Sequence, residues 1–153
     1  MNGIKISRIS WIETLVLKNS ANEQFSQLTN FVTVIICSLL LILSAKIKVD
    51  LYPVPMTLQP LAVLMIAMLC GRNISVAAVS LYLFQGMVGI PVFAYGGGLP
   101  YLLGPTGGFL FGFLFASMII GELADRGWGK QNFKSVFAML TGLTVIYALG
   151  IFQ

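Results

Sequence analysis

Apolar residues in this chain gather into long continuous runs and do not alternate with polar ones. Five runs stand out, at about Leu28–Ala45, Leu58–Cys70, Ile74–Ile90, Tyr101–Ile120 and Phe133–Phe152. A helical membrane span needs roughly 20 mostly apolar residues. The second run is short by itself, yet no charge occurs from Leu51 to Gly71. Continuous runs fit helices better than barrel strands, whose residues alternate between lipid and lumen. The breaks are equally legible. Tyr52-Pro53-Val54-Pro55 cannot continue a helix, because each proline lacks an N–H and restrains the residue before it. Gly71-Arg72-Asn73 reads as a tight polar turn. Pro91 to Pro100, with Gly96-Gly97-Gly98 inside it, reads as irregular, and Glu122 to Lys134 as one solvated loop. The expected fold is all-α: a polytopic transmembrane helix bundle of about five spans. Residues 28–153 would form the membrane domain and residues 1–27 a cytoplasmic or interfacial tail.

Composition strengthens this picture. Of 153 residues, 58% are hydrophobic and only 9% charged, where a soluble domain carries about 25% charged residues. From Asn73 to Gly121, 49 consecutive positions hold no Asp, Glu, Lys or Arg. A water-soluble globule and a disordered chain are both excluded. The net charge of +4 suggests nucleic acid only until the charges are located. With the N-terminus in the cytoplasm, Lys5, Arg8, Lys18, Arg72, Arg126, Lys130 and Lys134 fall inside, and only Lys46 and Lys48 outside. That asymmetry orients membrane proteins. A multi-pass protein of the plasma (inner) membrane is expected, in contact with lipid and not with nucleic acid. Leu43 stands where a signal peptide needs a small residue, so the first run is expected to be an uncleaved anchor. Ahead of it, Ile4, Ile6, Ile9 and Trp11 among Lys5 and Arg8 leave an interfacial amphipathic helix and a loose tail as alternatives. Cys37 and Cys70 lie in apolar runs and read as buried thiols.

The candidate chemistry is uncharged. The chain has no histidine, and no run carries a carboxylate pair, a metal cluster or a nucleophile with its base, so no enzyme and no metal or cofactor site is expected. No phosphate-binding glycine loop followed by Lys occurs, so ATP would have to be used by a partner. Three polar segments remain. Gly104-Pro105-Thr106-Gly107-Gly108 precedes a helix start, where free N–H groups receive an anion or a polar ligand. Gly104, Gly108, Gly112 and Ala116 recur every fourth residue, and for the last two helix packing is the simpler role. Gly96-Gly97-Gly98 can form an anion-binding nest, and Tyr95 and Tyr101 are either ligand contacts or interfacial aromatics. Thr57 and Gln59 follow the prolines, Thr57 as a candidate N-cap. Tyr82, Gln85, Gly86 and Gly89 cluster in the third run, where Gln85 must face a partner or a cavity.

In order and spacing, Val54-Pro55-Met56-Thr57-Leu58-Gln59, Tyr82-Leu83-Phe84-Gln85-Gly86-Met87-Val88-Gly89-Ile90-Pro91-Val92-Phe93 and Gly104-Pro105-Thr106-Gly107-Gly108-Phe109-Leu110 resemble the BioY family of biotin transporters. The resemblance covers about residues 31–152. It implies a six-helix S component of an energy-coupling factor (ECF) transporter that binds biotin from outside. It also implies partners, a transmembrane T component and a pair of ABC-type ATPases. The pocket would be roofed by the loops after the first and third helices, here residues 46–57 and 91–101. Thr57, Gln59, Tyr82 and Gln85 are expected to hydrogen-bond the ureido group or to close the pocket around it, backbone N–H groups of Gly97, Gly98, Gly104, Thr106 and Gly107 to meet the carboxylate, and Tyr95 to pack over the ring. Lys46 and Lys48 would attract the anion.

Two departures qualify the resemblance. With about five spans expected here, the family's sixth helix, which carries an acidic residue and a lysine that take part in ligand binding, is expected to lack a counterpart. The family's alanine-rich contact for the T component is matched on the first helix only by the small residues Cys37, Ser38, Ser44 and Ala45. The alternatives are a truncated, inactive copy, a structural membrane protein that binds no small molecule, and an S component for another vitamin.

Overall fold

The computed structural model describes residues 23–52 and 54–152. Most of the expected tail therefore lies outside the described residues. Among the described residues five α-helices follow in order: α1 (Glu23–Lys46), α2 (Gln59–Met87), α3 (Leu99–Leu102), α4 (Gly107–Asp125) and α5 (Asn132–Ile151). Four of them, all but α3, are long and apolar enough to cross a membrane.

Helix α2 is not straight. A straight helix would hold Gln59 and Tyr82 about 35 Å apart, yet the Gln59 amide Nε2 donates to the Tyr82 hydroxyl at 2.7 Å. The chain turns back at Gly71, whose φ of 76° and ψ of −178° interrupt the helix. Glycine takes this conformation without the penalty a Cβ would bring. The arms, 59–70 and 72–87, are the second and third apolar runs, and the expected turn lies between them.

The hairpin forms the middle of the bundle. Helices α1 and α4 pack on α2, and α5 packs mainly on α4. Where α4 crosses the fold-back, Gly121 lets backbones nearly touch: a Cβ there would lie 2.4 Å from Arg72 Cα. Gly112 likewise admits the α5 backbone, with Ile146 Cα 2.9 Å from where its Cβ would be. Gly108, Gly112 and Ala116 are buried on α4, but Gly104 lies before the helix and does not continue their stripe. The small residues Cys37, Ser38, Ser44 and Ala45 of α1 all face inward. They pack α1 onto α2, and Ile36, Leu39, Leu40 and Leu43 form its outward face. Cys37 and Cys70 are free buried thiols with sulfurs 3.8 Å apart.

Several boundaries differ from expectation. The fourth run begins with the short helix α3, breaks, and resumes at Gly107, because Gly104-Pro105 interrupts the helix. At its far end α4 runs on to Asp125, so Glu122 and Asp125 are helical and not part of a solvated loop. Both find partners: Glu122 pairs with Arg72 of the fold-back at 3.3 Å and with Arg126 one turn on at 3.0 Å, and Asp125 accepts the Arg72 backbone N–H at 3.1 Å. A 3-10 turn (Trp128–Lys130) leads into α5. At the opposite end, the segment after α1 folds as a two-stranded antiparallel pair, β1 (Lys48–Val49) with β2 (Met56–Thr57).

Candidate ligand-binding site

All segments expected on the outer face meet at the end of the bundle away from Gly71. The β1–β2 hairpin is anchored by the Leu58 N–H on the Ile47 carbonyl at 3.0 Å, which sets Thr57 and Gln59 over the start of α2. Fold-back of α2 brings Tyr82 opposite. The loop after α2 returns over the bundle and drops Phe93 inward, and Thr106 precedes the start of α4. Between them is a cavity of about 160 Å³.

Its polar lining comes from Thr57, Gln59, Tyr82, Tyr101, Thr106 and Tyr147. Among the described residues, no charged side chain lines it. Apolar walls come from Val54, Pro55, Met56 and Pro60 on one side, Phe93 and Ala94 above, and Phe109, Leu110 and Phe113 of α4. Gln59 is only 4% exposed and Tyr82 fully buried. Besides donating to Tyr82, Gln59 accepts from the Thr57 hydroxyl at 3.4 Å, and its own N–H points to that oxygen at 3.4 Å. Leu58, not Thr57, is the N-cap residue of α2 and makes no side-chain cap. Thr57 thus supports Gln59 from one residue further out. Aromatic contacts fix the upper wall: Phe93 stacks on Tyr101 with centroids 4.9 Å apart and meets Tyr82 edge-on at 5.4 Å. Tyr147 meets Phe109 edge-on at 5.8 Å.

Four of the ten expected contacts, Thr57, Gln59, Tyr82 and Thr106, therefore line one cavity. The other six do not line it. Gln85, half-buried, accepts from Ser38 of α1 at 3.3 Å, so it found a structural partner. Gly98 N–H donates to Gly86 O at 2.6 Å, Gly104 N–H to Tyr101 O at 3.2 Å and Gly107 N–H to Gly104 O at 2.9 Å. These amides close turns and are not presented to an anion. Gly97 packs its backbone against Ile90, whose carbonyl would stand 2.2 Å from a Cβ there.

Tyr95 points outward. Its hydroxyl donates to Asp50, and the Lys48 ammonium sits 3.2 Å from its ring centroid and 3.4 Å from Asp50. Lys48 is thereby ion-paired with Asp50, and Lys46 donates to the carbonyls of Pro91 at 2.8 Å and Phe93 at 2.7 Å. Neither lysine reaches the cavity.

This clasp has a pH signature. The Tyr95 hydrogen bond, with smaller help from Lys48, holds the Asp50 carboxyl below its ordinary 3.8, and the same bond raises the Tyr95 phenol above 10.0. The clasp's contribution is present above 3.8 and lost as pH falls through the lowered Asp50 value. On the alkaline side it is present below 10.0 and lost as pH rises through the raised Tyr95 value. Ultraviolet difference titration of the parent against Tyr95→Phe is expected to show Tyr95 ionising above the ordinary range, with Asp50→Asn removing the shift. An unchanged titration in Asp50→Asn would contradict the pairing.

The aromatic cavity at one end of the bundle could have been sought in sequence. Phe109, Leu110 and Phe113 follow Thr106 at helical spacing of three, four and seven, and Tyr147 is the only tyrosine in the fifth apolar run.

These features define a multi-pass helical membrane protein with an uncharged, aromatic-walled cup between hairpin, loop and helix starts. The sequence profile of the BioY family matches residues 18–153, and the chain belongs to that family. It is 43% identical over 115 residues to the biotin transporter BioY of Thermotoga maritima, covering 74% of this chain and 66% of the relative. Matches of 38% over 107 residues join it to the probable biotin transporters BioY of Lysinibacillus sphaericus, covering 70% of this chain and 55% of that one, and of Pyrococcus horikoshii, covering 69% and 62%. The chain thus spans about two thirds or less of the length of these relatives. The fold is similar to the 2.1 Å crystal structure of the S-component for biotin from an ECF-type ABC transporter. That match has a TM-score of 0.74 at 23% identity, over 86% of this chain and 73% of the other.

Proposed function

We propose that this chain binds biotin at the outer face of the plasma membrane, as the substrate-binding S component of an ECF-type transporter. The observation that carries the reading is the Gln59–Tyr82 pair, a buried amide and phenol bonded to each other in the wall of a cavity that no charged side chain lines among the described residues. The ureido ring of biotin offers N–H donors and a carbonyl, the complement of an amide and a hydroxyl. Its sulfur ring and alkyl chain suit the walls of Phe93, Phe109 and Phe113. Burying an unpaired carboxylate is costly, so the carboxylate is placed at the mouth, toward Tyr101 and Thr106, where water still reaches it.

Membership of the BioY family and the named relatives support this ligand. The same resemblance supports energy coupling through a T component and ABC-type ATPases on the cytoplasmic side, where Arg72, Arg126, Lys130 and Lys134 gather. The inward-facing small residues of α1 leave its large aliphatic face for any partner helix. No enzymatic step and no bound cofactor belong to this reading.

Binding of tritiated biotin to the purified chain is expected to be saturable, displaced by unlabelled biotin and unaffected by riboflavin, thiamine or lipoate. Displacement by one of those instead would reassign the vitamin. No saturable binding of any of them would leave a bundle whose cavity serves packing alone.

A further inference from the structure

We propose that Lys46 is a positioning residue of the binding site: its ammonium holds the loop that carries Phe93 and so sets one wall of the cavity, without touching the ligand. The inference rests on the biotin reading for the identity of the ligand, and its test separates the two.

The loop after α2 is largely shaped by bonds to itself and to its own helix. Val92 N–H reaches Ile90 O at 2.7 Å, Phe93 and Gly96 exchange backbone bonds, and Gly98 N–H reaches Gly86 O at 2.6 Å. Lys46, the last residue of α1, joins it to a different helix. Its Nζ donates to Pro91 O at 2.8 Å and Phe93 O at 2.7 Å, two charge-assisted bonds from one group. The second carbonyl belongs to the residue whose ring is fully buried against Tyr82 and Tyr101. That ring fills the space over Gly86, where a Cβ would lie 1.9 Å from its tip. Phe93 lines the cavity and Lys46 does not. The ammonium therefore acts on the site through the Phe93 backbone. A positive charge at this rim that merely steered an anion would act on the association rate and its salt dependence. A latch on the wall acts on escape.

The full chain in nanodiscs is the test object, with biotin and its uncharged methyl ester as ligands and Lys46→Met and Lys46→Arg as variants. Lys46→Met is expected to raise the dissociation rate about tenfold for both ligands, with association changed less than about twofold. Lys46→Arg, which keeps the donors, is expected to stay close to the parent. Without ligand, hydrogen exchange of residues 91–98 is expected to quicken in Lys46→Met while the helices keep their protection. Unchanged dissociation and exchange would overturn the latch, as would faster exchange spread over the whole bundle. Loss for biotin but not for the ester would place Lys46 on the carboxylate and overturn it too. A parent that binds neither ligand would sink the biotin reading, and the exchange measurement would still decide the latch.

Discussion

Gln59→Leu is expected to weaken biotin binding about 30- to 100-fold, and Tyr82→Phe about tenfold, as read by equilibrium binding to the purified chain. Leucine fills nearly the same volume, so the change removes the amide and little packing. A hydrogen bond lost in a buried site costs roughly 1–3 kcal/mol, and each 1.4 kcal/mol is tenfold in affinity. Gln59 has more to lose, because it bonds both Tyr82 and Thr57 and removing it strands the buried phenol. The two residues touch, so the double variant should lose less than the two single losses combined. Affinity unchanged in Gln59→Leu would take the ligand out of this cavity.

The largest effect on stability is expected at Gly121. Its missing Cβ faces backbone alone: Arg72 Cα at 2.4 Å, Arg72 N at 2.7 Å and Gly71 C at 3.0 Å. Backbone at a fold-back cannot rotate aside as a side chain can, so α4 itself must move. Gly121→Val is expected to destabilise by about 3 kcal/mol, at the upper end for overpacking. Gly142→Ala gives the contrast. Its Cβ would meet the tip of Ile120 at 2.1 Å, a side chain that can choose another rotamer, so a smaller loss is expected. Thermal unfolding in detergent, followed by loss of the monodisperse peak, checks the order. Equal midpoints for the two variants would contradict the tight crossing.

What sequence could and could not convey follows from the kind of signal involved. Membrane segments were legible because burial in lipid leaves unbroken apolar runs, and the turn at Gly71 because polar Arg72 and Asn73 interrupt one. The end of α4 was not legible. Glu122 and Asp125 look like loop charges until Arg72, some fifty positions earlier in the chain, is folded against them. Strands β1 and β2 were missed because two residues each carry no periodicity.

In the site, uncharged polar residues at the edges of apolar runs pointed to Thr57, Gln59, Tyr82 and Thr106. The same signal singled out Gln85, which bonds Ser38 and does not line the cavity, since composition does not say which way a helix is turned about its axis. The glycines were ambiguous for a related reason. A free helix-start N–H is indistinguishable in sequence from one already bonded in a turn, as those of Gly104 and Gly107 are. Phe93 carried no signal of its own: an aromatic in a glycine-rich loop looks like an interfacial residue until the loop folds inward.

The central claim is that the cup between the β1–β2 hairpin and the start of α4 opens to the outside and holds biotin. A single cysteine at Thr106, introduced with Cys37 and Cys70 replaced by serine, tests it most directly. In intact cells or right-side-out vesicles, a membrane-impermeant maleimide is expected to label this cysteine, and saturating biotin to protect it. Labelling from the cytoplasmic side alone, or outside labelling at the same rate with and without biotin, would contradict the claim.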